Sequence, residues 1–120
     1  MTFSETAQAL VDGCRAGKER ENLDKLYAPD AVSVEAVDYG SGRTVAGLDG
    51  IKAKHDWFET AMEVLSQKVT GPLPHAEDAF AVIFDVNMKD RASGEVTENT
   101  EVAIYHVSDG KITREEFFYG

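Results

Sequence analysis

Glu35, His55, Glu101 and Glu116 are the side chains of this sequence best suited by type and setting to moving protons. Each lies among apolar neighbours. Glu35 follows the β-branched run "AVSV". His55 shares a stripe with Ile51, Phe58 and Met62, at the i, i+4, i+7 and i+11 spacing of one helix face. Glu101 and Glu116 fall in alternating segments near the C-terminus. A carboxylate in an apolar setting needs a partner or its pKa rises, and a histidine beside it completes an acid–base couple. Such a set suits general acid–base catalysis of isomerase, lyase or hydrolase type on a hydrophobic small molecule.

Each residue also has a plainer reading. Glu35 faces solvent if Val32, Val34 and Ala36 own the inner side of their strand. His55 is a core histidine if a backbone carbonyl or one carboxylate satisfies it. Glu101 and Glu116 are structural if Arg114, Arg43 or a lysine pairs with them. Tyr27, Trp57, Phe58, Phe84, Tyr105 and Phe118 would line a pocket in the catalytic reading and pack a core in the other. The same pocket without chemistry would make a ligand-binding or accessory dimerisation domain.

No HxxxH, CxxC or aspartate-rich loop is present, so neither a metal nor a cofactor is expected. "GSG" at residues 40–42 has no phosphate-cradling helix at the right spacing.

Positioning these groups falls to a recognisable series of elements. "ETAQALVDGCRAG" reads as a helix capped by Ser4 and ended by Gly17. "KERENLDKLY" reads as a second helix, stopped by Pro29 and Asp30. "AVSVEAV" reads as a strand, and a third helix starts near Asp49. The period then changes to two. "LSQKVTG", "AFAVIFDVNMK", "EVTENTEVAIYHV" and the end of the chain read as antiparallel strands, with "PLPHAED" a break and Asp109-Gly110 a tight turn. Helices first and a meander after predict an α+β fold.

The turns set registers. Phe84 is expected opposite Glu101, Val82 opposite Ala103 and Phe80 opposite Tyr105. On the last hairpin, Val107 opposite Ile112 leads to Ala103 opposite Glu116 and Glu101 opposite Phe118. Glu116 and Phe118 then face the core, and Glu115 faces away. The outer face keeps Ile83, Val102, Ile104, Phe117 and Tyr119. That is apolar enough to expect a symmetric homodimer through it.

The 120 residues suit a single domain spanning 1–120. Twelve basic against 22 acidic side chains give a net charge of −10, which repels nucleic acid and anionic membranes. The lone Cys14 suits a reducing, cytoplasmic setting and a place in the core.

"LYAPDAVSVEA", "GLDGIKAKHDWFETAM" and "EVAIYHVSDGKITREEFFYG", in this order, resemble the SnoaL-like group of the nuclear transport factor 2-like superfamily. The resemblance implies a cone in which three N-terminal helices pack on a bent antiparallel sheet around a pocket. It does not imply one reaction. In the related ketosteroid isomerases a stretch similar to "APDAVSVE" ends in the general base, which puts Glu35 in that role. The rest of that site departs. The region of their first-helix tyrosine is apolar here, around Leu10. Ala103 stands nearest their second oxyanion donor, with Glu101 one ladder step away.

Overall fold

A computed structural model describes residues 1–120. Thr2, not Ser4, starts α1 (Phe3–Arg15): its hydroxyl accepts from the Glu5 N–H while the Glu5 carboxylate accepts from the Thr2 N–H. Ala7, Leu10, Val11 and Cys14 make the buried stripe of this helix.

The expected second helix shrinks to one turn, α2 (Leu23–Leu26). Lys18 to Glu21 are charged and offer nothing to bury, so only Leu23 and Leu26 anchor the segment. Tyr27 is already extended and opens β1 (Tyr27–Val34). The short β2 (Thr44–Ala46) and the third helix, α3 (Leu48–Ala61), follow. There are therefore three helices, but one is a single turn and α3 comes after two strands.

The other strands are β3 (Met62–His75), β4 (Ala79–Asp90), β5 (Val96–Ser108) and β6 (Lys111–Phe118). All six form one curved sheet in the order β2-β1-β6-β5-β4-β3. The sheet is not wholly antiparallel, because β1 and β6 run parallel. These strands are far apart in sequence, so no tight turn constrains their direction. β3 does not break at Pro72 and Pro74 but passes through them with a register irregularity between Thr70 and Leu73. It is an edge strand, where missing donors are tolerated.

The β4–β5 register is the expected one, with Phe84 opposite Glu101, Val82 opposite Ala103 and Phe80 opposite Tyr105. The β5–β6 hairpin begins as expected, with Val107 opposite Ile112 across an Asp109-Gly110 turn at φ 50° and 75°. It then slips. Thr113 has no partner, and His106 pairs with Arg114. Beyond this bulge Tyr105 faces Glu115, Ala103 faces Phe117 and Ile104 faces Glu116. One extra residue exchanges the two faces of β6.

The core is continuous from α1 through Leu23, Leu26 and Ile51 to Phe80, Val82, Ala103, Tyr105 and Ile112. Tyr105 stacks on Phe80 at 4.9 Å between ring centroids. Burying a leucine, isoleucine or phenylalanine in this way contributes roughly 1.5–3 kcal/mol each. The Thr6 hydroxyl donates to the Gly110 carbonyl at 2.7 Å, tying α1 to the β5–β6 turn. Arg15 and Gln67 link α1 to β3 through the Val69 and Cys14 carbonyls. No helix is long and apolar enough to cross a membrane.

Candidate functional site

The bulge in β6 turns Glu115 inward. It stands between Ser33 on one neighbouring strand and Tyr105 on the other, and it is only 2% exposed. Tyr27, at the start of β1, donates its hydroxyl to Glu115 Oε2 at 2.5 Å. Oε1 has no partner. Ser33 lies close to Glu115, but its geometry falls short of a hydrogen bond to that oxygen. Burial pushes the Glu115 carboxyl up from its ordinary range, against the opposing pull of Tyr27 and of Lys54. A proton on this group belongs on Oε1, since Oε2 accepts from Tyr27.

Lys54 enters from α3. Its ammonium donates to Ser33 Oγ at 2.6 Å, pairs with the Glu35 carboxylate and lies 4.9 Å from the centroid of the Phe117 ring. Two of its three donors are thereby used. Glu35 follows β1 directly. Its Oε2 accepts from Tyr119 at 2.8 Å, and Tyr119 accepts from Tyr39 at 2.8 Å. Arg43 holds the Glu35 backbone in place, its carbonyl accepting from the Glu35 N–H and its Nε donating to the Glu35 carbonyl.

Glu101, one step along β5 from the Val102–Phe118 pair, completes the cluster. Burial, and after it the charge of Glu35, push its carboxyl up to about 7, while Lys54 opposes. Three carboxyls thus share one lysine. Burial raises two of them towards the protonated form and the third is held in an ion pair, which sets an acid apart from a base. Ser33 is fully enclosed, and its hydroxyl oxygen accepts from Lys54.

The structure brings Glu35 and Glu101 together but removes Glu116. That residue lies on the outer face beside Arg114, with its side chain 28% exposed. Phe118 is likewise outside, 49% exposed, and lines no interior. Conversely, Phe117 is drawn inward, packing against the core. His55 hydrogen-bonds neither Glu101 nor Glu116; burial, with Lys54 and Arg20 nearby, lowers its pKa and favours the neutral ring. Trp57 and Phe58 are exposed rather than enclosed. Phe84, Tyr27 and Tyr105 are buried, and Tyr27 is the one that touches a carboxyl. Cys14 is buried in the core, its thiol pushed up to about 12 chiefly by burial. No group of three or more His, Cys, Asp or Glu side chains is arranged to hold a metal.

Sequence reasoning passed over Glu115, Lys54, Ser33, Tyr119 and Tyr39. The "EE" pair was visible, but its inward member depends on the bulge at Thr113. Two surface grooves, of about 430 and 650 Å³, lie elsewhere: one between α1 and Pro72–Glu77, the other around the start of α3. Only the latter touches the cluster, through Tyr27.

The profile of the SnoaL-like domain matches residues 1–119. The chain belongs to the SnoaL-like family. Among solved structures, a Mesorhizobium loti protein provisionally named a SnoaL-like polyketide cyclase, with carbohydrate phosphatase as a second name, is similar at 32% identity and a TM-score of 0.92. The alignment covers 99% of this chain and 100% of that one. A Bacillus subtilis protein provisionally named an isomerase shares the fold at 15% identity and a TM-score of 0.84, over 100% and 90% of the two chains. A nuclear transport factor 2-like protein of Burkholderia thailandensis does so at 17% and 0.82, over 100% and 92%. No curated protein matches the sequence. The SnoaL-like assignment fits the one-sheet architecture.

Proposed function

We propose that this SnoaL-like protein performs acid–base catalysis on a small hydrophobic molecule, of isomerase, lyase or hydrolase type, using side chains alone. Glu35 is the base and Glu115 the acid. Lys54 offers its third N–H to a substrate oxygen that gains negative charge, moving from Glu35 as the reaction begins. Glu101 lies beside them as a reserve acid. The observation that carries this reading is Glu115 Oε1: a buried acid oxygen with no partner, beside a lysine shared between Ser33 and a second carboxylate. Isolated polar atoms of this kind are costly and mark sites that a ligand completes. The neighbours' names (cyclase, phosphatase and isomerase) do not agree on a reaction, so the side chains alone support the choice.

The test is proton exchange at carbon. The protein is incubated in D₂O with a panel of hydrophobic enolisable ketones and esters, and loss of the α-C–H signal is followed by NMR. Exchange above buffer, falling about 10²-fold or more in Glu35→Gln and in Glu115→Gln, is expected. Exchange that equals buffer across the panel, or that survives both substitutions, contradicts the reading.

One observation favours a second reading, a non-catalytic binding domain. Glu35 and Lys54 already satisfy each other, and both grooves described lie away from them. Saturable binding without exchange would select it. In either case the outer sheet face, with Ile83, Val102, Ile104 and now Phe118, pairs two copies in a symmetric dimer. Light scattering at micromolar concentration should give twice the chain mass; a monomer would exclude it.

A further inference from the structure

Past the end of α1 the inner face of the sheet loses its cover. Gln67 donates to the Cys14 carbonyl, so the last turn of α1 sits level with Gln67 and its partner Val86. The next inward pair is Met88 and Val64. Register fixes their direction: residues directly opposite share a face, and β4 alternates against β5 without a break from Ala79 to Lys89. On that face Val82 and Phe84 are buried, Val86 and Met88 only half so, and Val64 is 43% exposed. The stripe of α3 opens in the same way, from buried Ile51 through half-buried His55 to Phe58 at 38%. From Phe84 to Met88 the strand advances four residues, about 13 Å.

An acid stands at the inner end of this apolar stretch. Glu101 pairs with Phe84 and is the diagonal neighbour of Val86 on the same face. It is half-buried, takes part in none of the protein's ion pairs and is held by no hydrogen bond. Nor is it sealed, since Glu115 Oε1 is the one side-chain atom both enclosed and without a partner. Lys54, the cation of the cluster, is committed to Glu35 and Ser33. Glu35, Glu101 and Glu115 outnumber the positive charge beside them, and Glu101 is the one left with no partner at all.

We infer that the ligand of this site is an amphiphilic amine, its ammonium on Glu101 and its hydrocarbon along Val86, Met88 and Val64. The inference rests on the reading of the carboxyl cluster as a small-molecule site, and names the class of molecule. The uncovered apolar length takes a hydrocarbon chain. The unpaired carboxyl takes a cation, and the pair gains from being half-buried, where less water screens it. A net charge of −10 turns carboxylates away from the same place.

Methionine methyl groups report where a probe sits. Of the three in the chain, Met88 lies on the proposed path and Met1 lies elsewhere, against Gly110. Three eight-carbon probes are titrated by ¹³C-methyl NMR: n-octylamine, n-octanol and octanoate. The Met88 methyl should shift saturably with n-octylamine while Met1 stays still, and the other two probes should bind at least tenfold more weakly. Glu101→Gln should weaken n-octylamine at least tenfold and leave n-octanol within twofold. Glu116→Gln removes the same charge from the outer face and should leave n-octylamine within twofold. Octanol that binds as well as octylamine, a Met88 signal that never responds, or equal losses in the two variants each overturns the inference. So does a Met88 signal that moves with protein concentration alone, which would make the stretch a contact between copies. The three probes decide in the native protein even if Glu101→Gln does not fold. Carbon exchange without amine binding sinks the amine and leaves the acid–base reading standing. Amine binding in a protein without exchange does the reverse.

Discussion

Glu115 and Glu116 are neighbours in the chain with opposite surroundings. Glu115 is closed in by Tyr27, Ser33 and Tyr105, with one oxygen bonded and the other bare. Glu116 lies half in water with Arg114 at 3.4 Å, a contact too long and too exposed to stabilise much. The same carboxyl is costly on one face of β6 and nearly free on the other. A fold that needed only stability would place an apolar residue at 115. The buried acid, with the Lys54–Glu35 ion pair nearby, is what makes the inner face a candidate for chemistry.

Substitution should reproduce that contrast, most strongly at Glu115. Glu115→Ala strands the Tyr27 hydroxyl and opens a void, and should cost about 2–4 kcal/mol in urea unfolding. Glu115→Gln keeps an acceptor for Tyr27 and imitates the protonated acid, so it should cost about 1 kcal/mol or less. A large loss in the glutamine variant would mean that the native group is an anion. Next comes Lys54→Met, which leaves Glu35 without its cation and Ser33 without its donor; about 1–3 kcal/mol is expected by the same assay.

Much of this arrangement was legible in the sequence, and the failure has one main physical cause. Period-two alternation places Phe80, Val82 and Phe84 on one face with Glu101, Ala103 and Tyr105, as the β4–β5 register confirms. Asp109-Gly110 announces its turn, and Val107 does meet Ile112. Side-chain alternation carries no signal for an unpaired residue, however. The bulge at Thr113 reverses everything after it, so Glu116 and Phe118 were expected where Glu115 and Phe117 stand. The same blindness hid Lys54. A lysine on a helix reads as a solvated charge, and only the fold shows Ser33 and Glu35 beneath it. The second helix was overestimated because helix-forming charged residues propose a helix that burial does not support past Leu23 and Leu26.

A further effect separates the faces by pH. Glu101 has its folded pKa raised to about 7 from 4.5. Between those values the unfolded chain has released a proton that the folded chain keeps, so rising pH favours unfolding. Its contribution is whole below about 4.5 and is lost as pH passes about 7. Glu115, also raised, acts in the same direction. Stability measured from pH 4.5 to 7.5 should fall less steeply in Glu101→Gln than in the native protein; parallel curves would remove Glu101 from the cluster. The smallest effect belongs to the outer face. Glu116→Ala and Arg114→Ala should each shift unfolding by about 0.5 kcal/mol or less. A larger loss at either would show that the outer carboxyl is structural after all.

The most direct test is carboxyl titration by ¹³C NMR, with Glu115 followed in the native protein and in Lys54→Met. Glu115 should keep its proton above the pH at which ordinary glutamates lose theirs, and Lys54→Met should raise that point further, because the ammonium now opposes the upward shift. If Glu115 instead titrates like a free side chain and ignores the loss of Lys54, it is no buried acid, and the proposed assignment of acid and base falls with it.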